Sequence, residues 1–137
     1  MDFLPIIPEF YISDIKKSLE FYVDALGFKI EYRRENPNFV FLSYQGSQLM
    51  IQELREGEKE REKLEYPFGR GINFQINTDN ISAIVDSLKK HNYPLKKEAE
   101  DNWYKKDDTV YGCREVLVLD PDGYLLRFSE NIGQKDI

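Results

Sequence analysis

The chain has 137 residues, 41% of them hydrophobic, with a formal net charge of −6 and a sequence pI of about 4.9. That length suits one compact domain or two small fused modules. The acidic balance argues against nucleic acid and anionic membranes as partners, because both need a basic surface. The single cysteine, Cys113, excludes an internal disulfide and a cysteine-rich zinc site. The only histidine, His91, sits in the polar run Lys89-Lys90-His91-Asn92, so a Cys–His catalytic pair is not expected. Met1-Asp2-Phe3-Leu4-Pro5 carries no signal-peptide pattern, and no apolar run is long enough to span a bilayer. A cytoplasmic location is expected.

Along the chain, Phe3 to Ile12 reads as a strand, confined to an edge or to irregular pairing by Pro5 and Pro8. Ser13-Asp14 offers an N-cap. Ile15, Leu19, Tyr22, Val23 and Leu26 then recur at helical spacing, and Gly27 stops the helix. Phe28 to Arg34 and Asn38 to Tyr44 read as strands joined at Asn36-Pro37-Asn38, and a further strand ends near Glu53. Residues 1–54 thus form a first βαβββ module. Residues 55–68, dense in Glu, Lys and Arg, read as a charged linker.

Residues 69–137 repeat the order. Gly69 to Asn77 is an alternating strand, and Asp79 or Asn80 caps a helix whose apolar face is Ile81, Ile84, Val85 and Leu88. Pro94 to Ala99 is a short strand candidate. Glu100 to Val110 reads as a polar loop holding the only tryptophan, Trp103. Tyr111 to Glu130 is a hairpin turning at Asp120-Pro121-Asp122-Gly123. Its last strand lies over Gly46 to Glu53, with Leu126 on Leu49, Phe128 on Ile51 and Glu130 on Glu53. Extended backwards without a gap, Leu119 falls on Leu42 and Leu117 on Val40. The pattern is α+β: two tandem βαβββ modules whose antiparallel sheet curves into a cup.

Ser13-Asp14-Ile15…Ser18…Phe21-Tyr22…Leu26-Gly27-Phe28, followed at this spacing by Asp120-Pro121-Asp122-Gly123, resembles the vicinal oxygen chelate superfamily. That superfamily includes glyoxalase I, extradiol dioxygenases, fosfomycin-resistance enzymes and bleomycin-resistance proteins. Tyr111-Gly112-Cys113-Arg114-Glu115-Val116 resembles the Trp-Gly-x-Arg-Glu-Phe run of the bleomycin-resistance group, with Tyr111 in place of Trp and Val116 in place of Phe.

The resemblance implies four metal-ligand positions facing the cup. They fall on Ile7, on Met50, on Gly71 or Asn73, and on Arg127. None supplies an imidazole or a carboxylate. Glu9 and Gln52, on the faces of Ile7 and Met50, make with Asn73 only a weak replacement set. No metal and no cofactor is expected.

Alternation assigns Ile7, Glu9, Tyr11, Gln48, Met50, Gln52, Arg127 and Ser129 to the cup. Ile6, Phe10, Leu49, Ile51, Leu126 and Phe128 go to the helix-packing side. Trp103, Tyr104 and Tyr111 are candidates to stack a planar ligand. Arg114 and Glu115 are neighbours on a strand, so only one of them can serve the pocket; Arg114 is carried as the binding candidate. The expected site is therefore Glu9, Met50, Gln52, Asn73, Trp103, Tyr104, Tyr111, Arg114 and Arg127. The resemblance implies a homodimer that sequesters a small organic, cationic or aromatic drug-like ligand, such as a glycopeptide antibiotic, in a cup at the dimer interface, without chemistry. A metal-dependent lyase or thiol transferase and a regulatory interaction module are the alternatives.

Overall fold

A computed structural model describes residues 1–55, 57 and 64–136. The expected linker, 55–68, lies partly outside the described residues. The first module holds β1 (Glu9–Ile12), α1 (Ile15–Leu19), a π-helical continuation of α1 (Glu20–Ala25), β2 (Lys29–Arg34), β3 (Phe39–Tyr44) and β4 (Ser47–Glu53). The second holds β5 (Asn73–Asn77), α2 (Ile81–Lys90), β6 (Leu95–Lys106), β7 (Thr109–Leu119) and β8 (Leu125–Asp136). This is the expected α+β pair of βαβββ modules. Each forms its own four-stranded sheet, in the orders β1-β4-β3-β2 and β5-β8-β7-β6. Pairing is antiparallel except where β1 runs parallel to β4 and β5 parallel to β8.

The same devices start both helices. Asp14 accepts from the N–H groups of Lys16 and Lys17, and Asn80 accepts from that of Ala83. Glu53 accepts the Ile15 N–H at 2.8 Å, and Glu130 accepts the Ile81 N–H at 2.7 Å. The repeat's pairing of Glu53 with Glu130 is thus a repeated helix cap, delivered from the last strand of each module. A carboxylate there satisfies an orphan donor and meets the positive end of the helix.

Three expectations need correction. The first strand starts at Glu9 rather than Phe3. Pro5 and Pro8 lack the N–H that a ladder needs, so Ile6 is 84% exposed instead of facing the core. The backward extension of the repeat slips by one residue. Leu42 pairs with Leu49 and Val40 with Ile51, while Val118 pairs with Leu126 and Val116 with Phe128. The second turn is one residue longer, so Val118 and Val116, not Leu119 and Leu117, match Leu42 and Val40. Finally, the expected loop 100–110 is mostly strand. β6 runs to Lys106 and turns at Asp107, whose φ is 56°, into β7.

One hydrophobic core serves both modules. It contains Phe10, Phe21, Tyr22, Leu42, Ile51, Ile84, Leu88, Val116, Leu126 and Phe128. Tyr44 on β3 meets Phe128 on β8 with ring centroids 5.9 Å apart. Were the two sheets joined edge to edge through β1 and β5, these strands would be four spacings apart, roughly 19 Å. The sheets therefore turn their core faces toward each other and their open faces outward. Phe10 adds contacts of 4.8 Å to Phe74 and 4.2 Å to Tyr124.

The Asp120-Pro121-Asp122-Gly123 turn locks the modules together. Asp120 Oδ2 accepts from the buried Tyr22 hydroxyl at 2.7 Å, and its Oδ1 accepts from the N–H groups of Asp122 and Tyr124. Asp122 accepts from the Ser13 N–H at 3.0 Å. Gly123 has φ 89°, and a Cβ there would lie 2.4 Å from Pro67 Cα. Only glycine fits that approach.

Candidate functional site

The two open faces differ in chemistry. On the first sheet, Tyr32 pairs with Phe41 and Arg34 with Phe39 across β2 and β3. Phe39 and Phe41 are buried although they face away from the core. Tyr32 stacks on Phe41 at 5.2 Å, Phe3 meets Phe41 edge-on at 5.4 Å, and the Arg34 guanidinium lies 3.9 Å over the Phe39 ring. Met50 and Gln52 are their neighbours on β4, and Glu9 sits beside Met50 on β1. The arm ahead of β1 is held by Gln48, which accepts from the Leu4 N–H and donates to the Asp2 carbonyl. This face is an aromatic floor with a few polar groups at its edge.

The second sheet carries a polar recess of about 210 Å3 lined by Lys97, Glu100, Asn102, Tyr104, Glu115, Leu117 and Arg127. Pairing places these residues together. Glu115 lies opposite Glu100 on β6 and Ser129 on β8, and Leu117 lies opposite Arg127. Glu115 is 6% exposed. Its Oε1 accepts from Asn102 Nδ2 at 2.9 Å and from the Tyr104 hydroxyl. Its Oε2 stands 3.6 Å from Arg127 Nη1. The Tyr104 hydroxyl is held protonated, its pKa raised chiefly by donation to the Glu115 carboxylate. At the rim, Lys97 pairs with Glu100 at 2.7 Å, and donation from Lys97 lowers the Glu100 pKa.

The expected site residues divide into three groups. Glu9, Met50 and Gln52 share the open face of the first sheet. Tyr104, Tyr111 and Arg127 share that of the second, Tyr111 being the cross-strand partner of Tyr104. Asn73 is exposed on β5, two residues before Gln75, the partner of Arg127. Trp103 and Arg114 point to the opposite side of the β6–β7 ribbon. Trp103 lies over Gly112, where a Cβ would come within 2.7 Å of the indole, and Lys135 Nζ caps the ring at 3.9 Å. The three-ring stack of Trp103, Tyr104 and Tyr111 is therefore not formed on one face. Arg114 is held by Asp101 at 2.8 and 3.2 Å. Of the pair Arg114 and Glu115, it is Glu115 that enters the recess. Glu100 and Asn102 were missed because 100–110 reads as a loop, Lys97 falls in the short strand candidate 94–99, and Glu115 was passed over in favour of Arg114; the Asp107-Asp108 turn between Tyr104 and Tyr111 is the signal that reveals the hairpin.

The metal positions implied by the resemblance hold a half-buried aliphatic chain at Ile7, a thioether at Met50, either no side chain at Gly71 or an exposed amide at Asn73, and a guanidinium at Arg127. Ile7 and Met50 belong to one module, Asn73 and Arg127 to the other. Among the described residues no group of three or more His, Cys, Asp or Glu converges. A divalent cation does not fit this donor set.

Paired βαβββ modules with outward-facing sheets define a recognisable fold class. The sequence profile of the Glyoxalase/Bleomycin resistance protein/Dioxygenase superfamily matches residues 7–128, and the chain belongs to that superfamily. It is 27% identical over 128 residues to the "Lactoylglutathione lyase" of Haemophilus influenzae, covering 90% of each chain. It is 28% identical to the "Probable lactoylglutathione lyase" of Vibrio parahaemolyticus, covering 88% of this chain and 85% of that one. A hypothetical protein from S. aureus shares the fold with a TM-score of 0.68 at 16% identity, covering 95% of both chains. Among the described residues, no helix is long and apolar enough to cross a membrane.

Proposed function

We propose that this chain is a metal-independent small-molecule binding protein that holds an aromatic, drug-like ligand against the open faces of its sheets. The observation that carries the reading is that the metal-ligand positions implied by the resemblance hold Ile7, Met50, Gly71 or Asn73, and Arg127, with Arg127 placed beside Glu115 in a polar recess. A guanidinium there binds organic acceptors and repels a cation. A closed cup needs two open faces opposed. Within one chain the two faces point apart, which supports the expected dimer, in which a second copy supplies the opposing wall. An aromatic wall against a polar wall suits a ligand with one flat apolar side and one hydrogen-bonding side.

The names of the two curated relatives favour a second reading, a lactoylglutathione lyase. It requires metal chemistry that these residues do not support. Metal analysis of purified protein, with calorimetric titration by bleomycin and an assay for S-lactoylglutathione formation with added Zn2+ or Ni2+, separates the two. Saturable binding of bleomycin by metal-stripped protein supports sequestration. Metal-dependent turnover overturns it.

A further inference from the structure

We infer that the recess around Glu115 and Arg127 receives a zwitterionic α-amino acid head group. This rests on the reading above, that the open face of the second sheet is a ligand floor. Glu115 Oε1 has two donors, Asn102 and Tyr104. Glu115 Oε2 faces Arg127 at 3.6 Å, beyond hydrogen-bond distance. Among the described residues, neither Oε2 nor the Arg127 guanidinium makes a hydrogen bond. A carboxylate in a residue only 6% exposed and a guanidinium one-third exposed thus stand side by side with unused capacity. The gap is one in which a ligand ammonium can donate to Oε2 while the adjacent carboxylate accepts from Arg127.

The charge balance points the same way. Two cations, Lys97 and Arg127, and two anions, Glu100 and Glu115, line the recess. A ligand with a net charge at its head leaves one member of the Glu115–Arg127 pair opposed by a like charge, which is costly at so buried a carboxylate. A zwitterion opposes neither. Leu117 supplies apolar surface on the same wall. Tyr104 and its cross-strand neighbour Tyr111 continue the face outward, so the side chain on the head group is aromatic.

The test uses L-phenylalanine, phenethylamine, which lacks the carboxylate, and 3-phenylpropanoate, which lacks the ammonium, titrated calorimetrically into the intact protein. L-Phenylalanine is expected to bind at least tenfold tighter than either analogue. Arg127→Gln should erase its advantage over phenethylamine, and Glu115→Gln its advantage over 3-phenylpropanoate, with melting curves confirming that both variants fold. Equal binding of the three compounds, retention of the advantage in both variants, or no binding of any of them overturns the inference. None of these results bears on metal dependence or on bleomycin binding, which decide the broader reading separately.

Discussion

Asp120 makes the most direct test of how the modules are joined. Burial raises its carboxyl pKa from 3.8 to about 6, against the lowering effect of hydrogen bonds from Tyr22, Tyr124 and Asp122. The folded state therefore holds this proton more tightly than the unfolded chain. Below about pH 4 both states are protonated and the full stability is present. As pH rises through about 6 the native carboxyl must ionise in a buried site, and stability is lost. A shift of about two units corresponds to about 3 kcal/mol. Asp120→Asn cannot titrate, yet its carbonyl can keep both backbone N–H bonds of the turn. Urea unfolding of both proteins from pH 4 to pH 7.5 isolates the effect. The stability of Asp120→Asn relative to the parent should rise by about 3 kcal/mol across that range, with the change centred between pH 4 and 6. Parallel profiles would show that Asp120 is not the buried, proton-holding group that its position implies.

Tyr22→Phe removes the hydroxyl donor, should cost about 1–3 kcal/mol in urea unfolding, and should move the Asp120 transition above pH 6, since that hydrogen bond lowers the pKa. Gly112→Ala drives a Cβ into the indole of Trp103; its fluorescence, from the only tryptophan in the chain, should shift to the red as the ring leaves the ribbon and loses Lys135. Unchanged emission would show that the ring rests elsewhere. Glu53→Ala and Glu130→Ala each remove a helix cap and should each cost about 1 kcal/mol. Because the caps are on separate helices, the double variant should show the sum.

The hairpin at Asp120–Gly123 and the capping residues are legible in sequence because each is local. A turn needs its own four residues, and a cap acts within one helical turn. The role of Glu53 and Glu130 shows only as a repeat, since each cap comes from a distant strand. β6 defeats the reading for a physical reason. Both faces of Lys97 to Lys106 are in water, so no apolar alternation marks the strand. Its pairing with β7 comes from the backbone and from the Asp107-Asp108 turn. Once that region is read as loop, the recess partners of Glu115 cannot be placed. The choice between Arg114 and Glu115 depends on which of two adjacent positions shares a face with Arg127, and a bare sequence does not reveal that register. The widening of α1 into a π-helical coil brings Ser18, Phe21 and Ala25 inward beside Tyr22 and Leu26, whereas a 3.6-residue period selects Ile15, Leu19 and Val23.

The bond between Tyr22 and Asp120 also records how the duplicated halves have diverged. Matching Asp14 to Asn80 sets Tyr22 against Leu88, and the turn at Asp120 against Gln45-Gly46. The mirror-image position therefore has Leu88 in place of the Tyr22 phenol and no buried carboxylate. It is closed instead by a hydrogen bond between the Tyr44 hydroxyl and Thr78, and by Gln45 with Asp79. The two contacts across the pseudo-twofold have become different joints, a buried one and a peripheral one. The halves are no longer interchangeable. A chain made of two first modules would bring Tyr22 against a turn with no carboxylate for it, and one made of two second modules would bury Asp120 with no Tyr22 phenol to meet it. Each half has become a specific partner for the other.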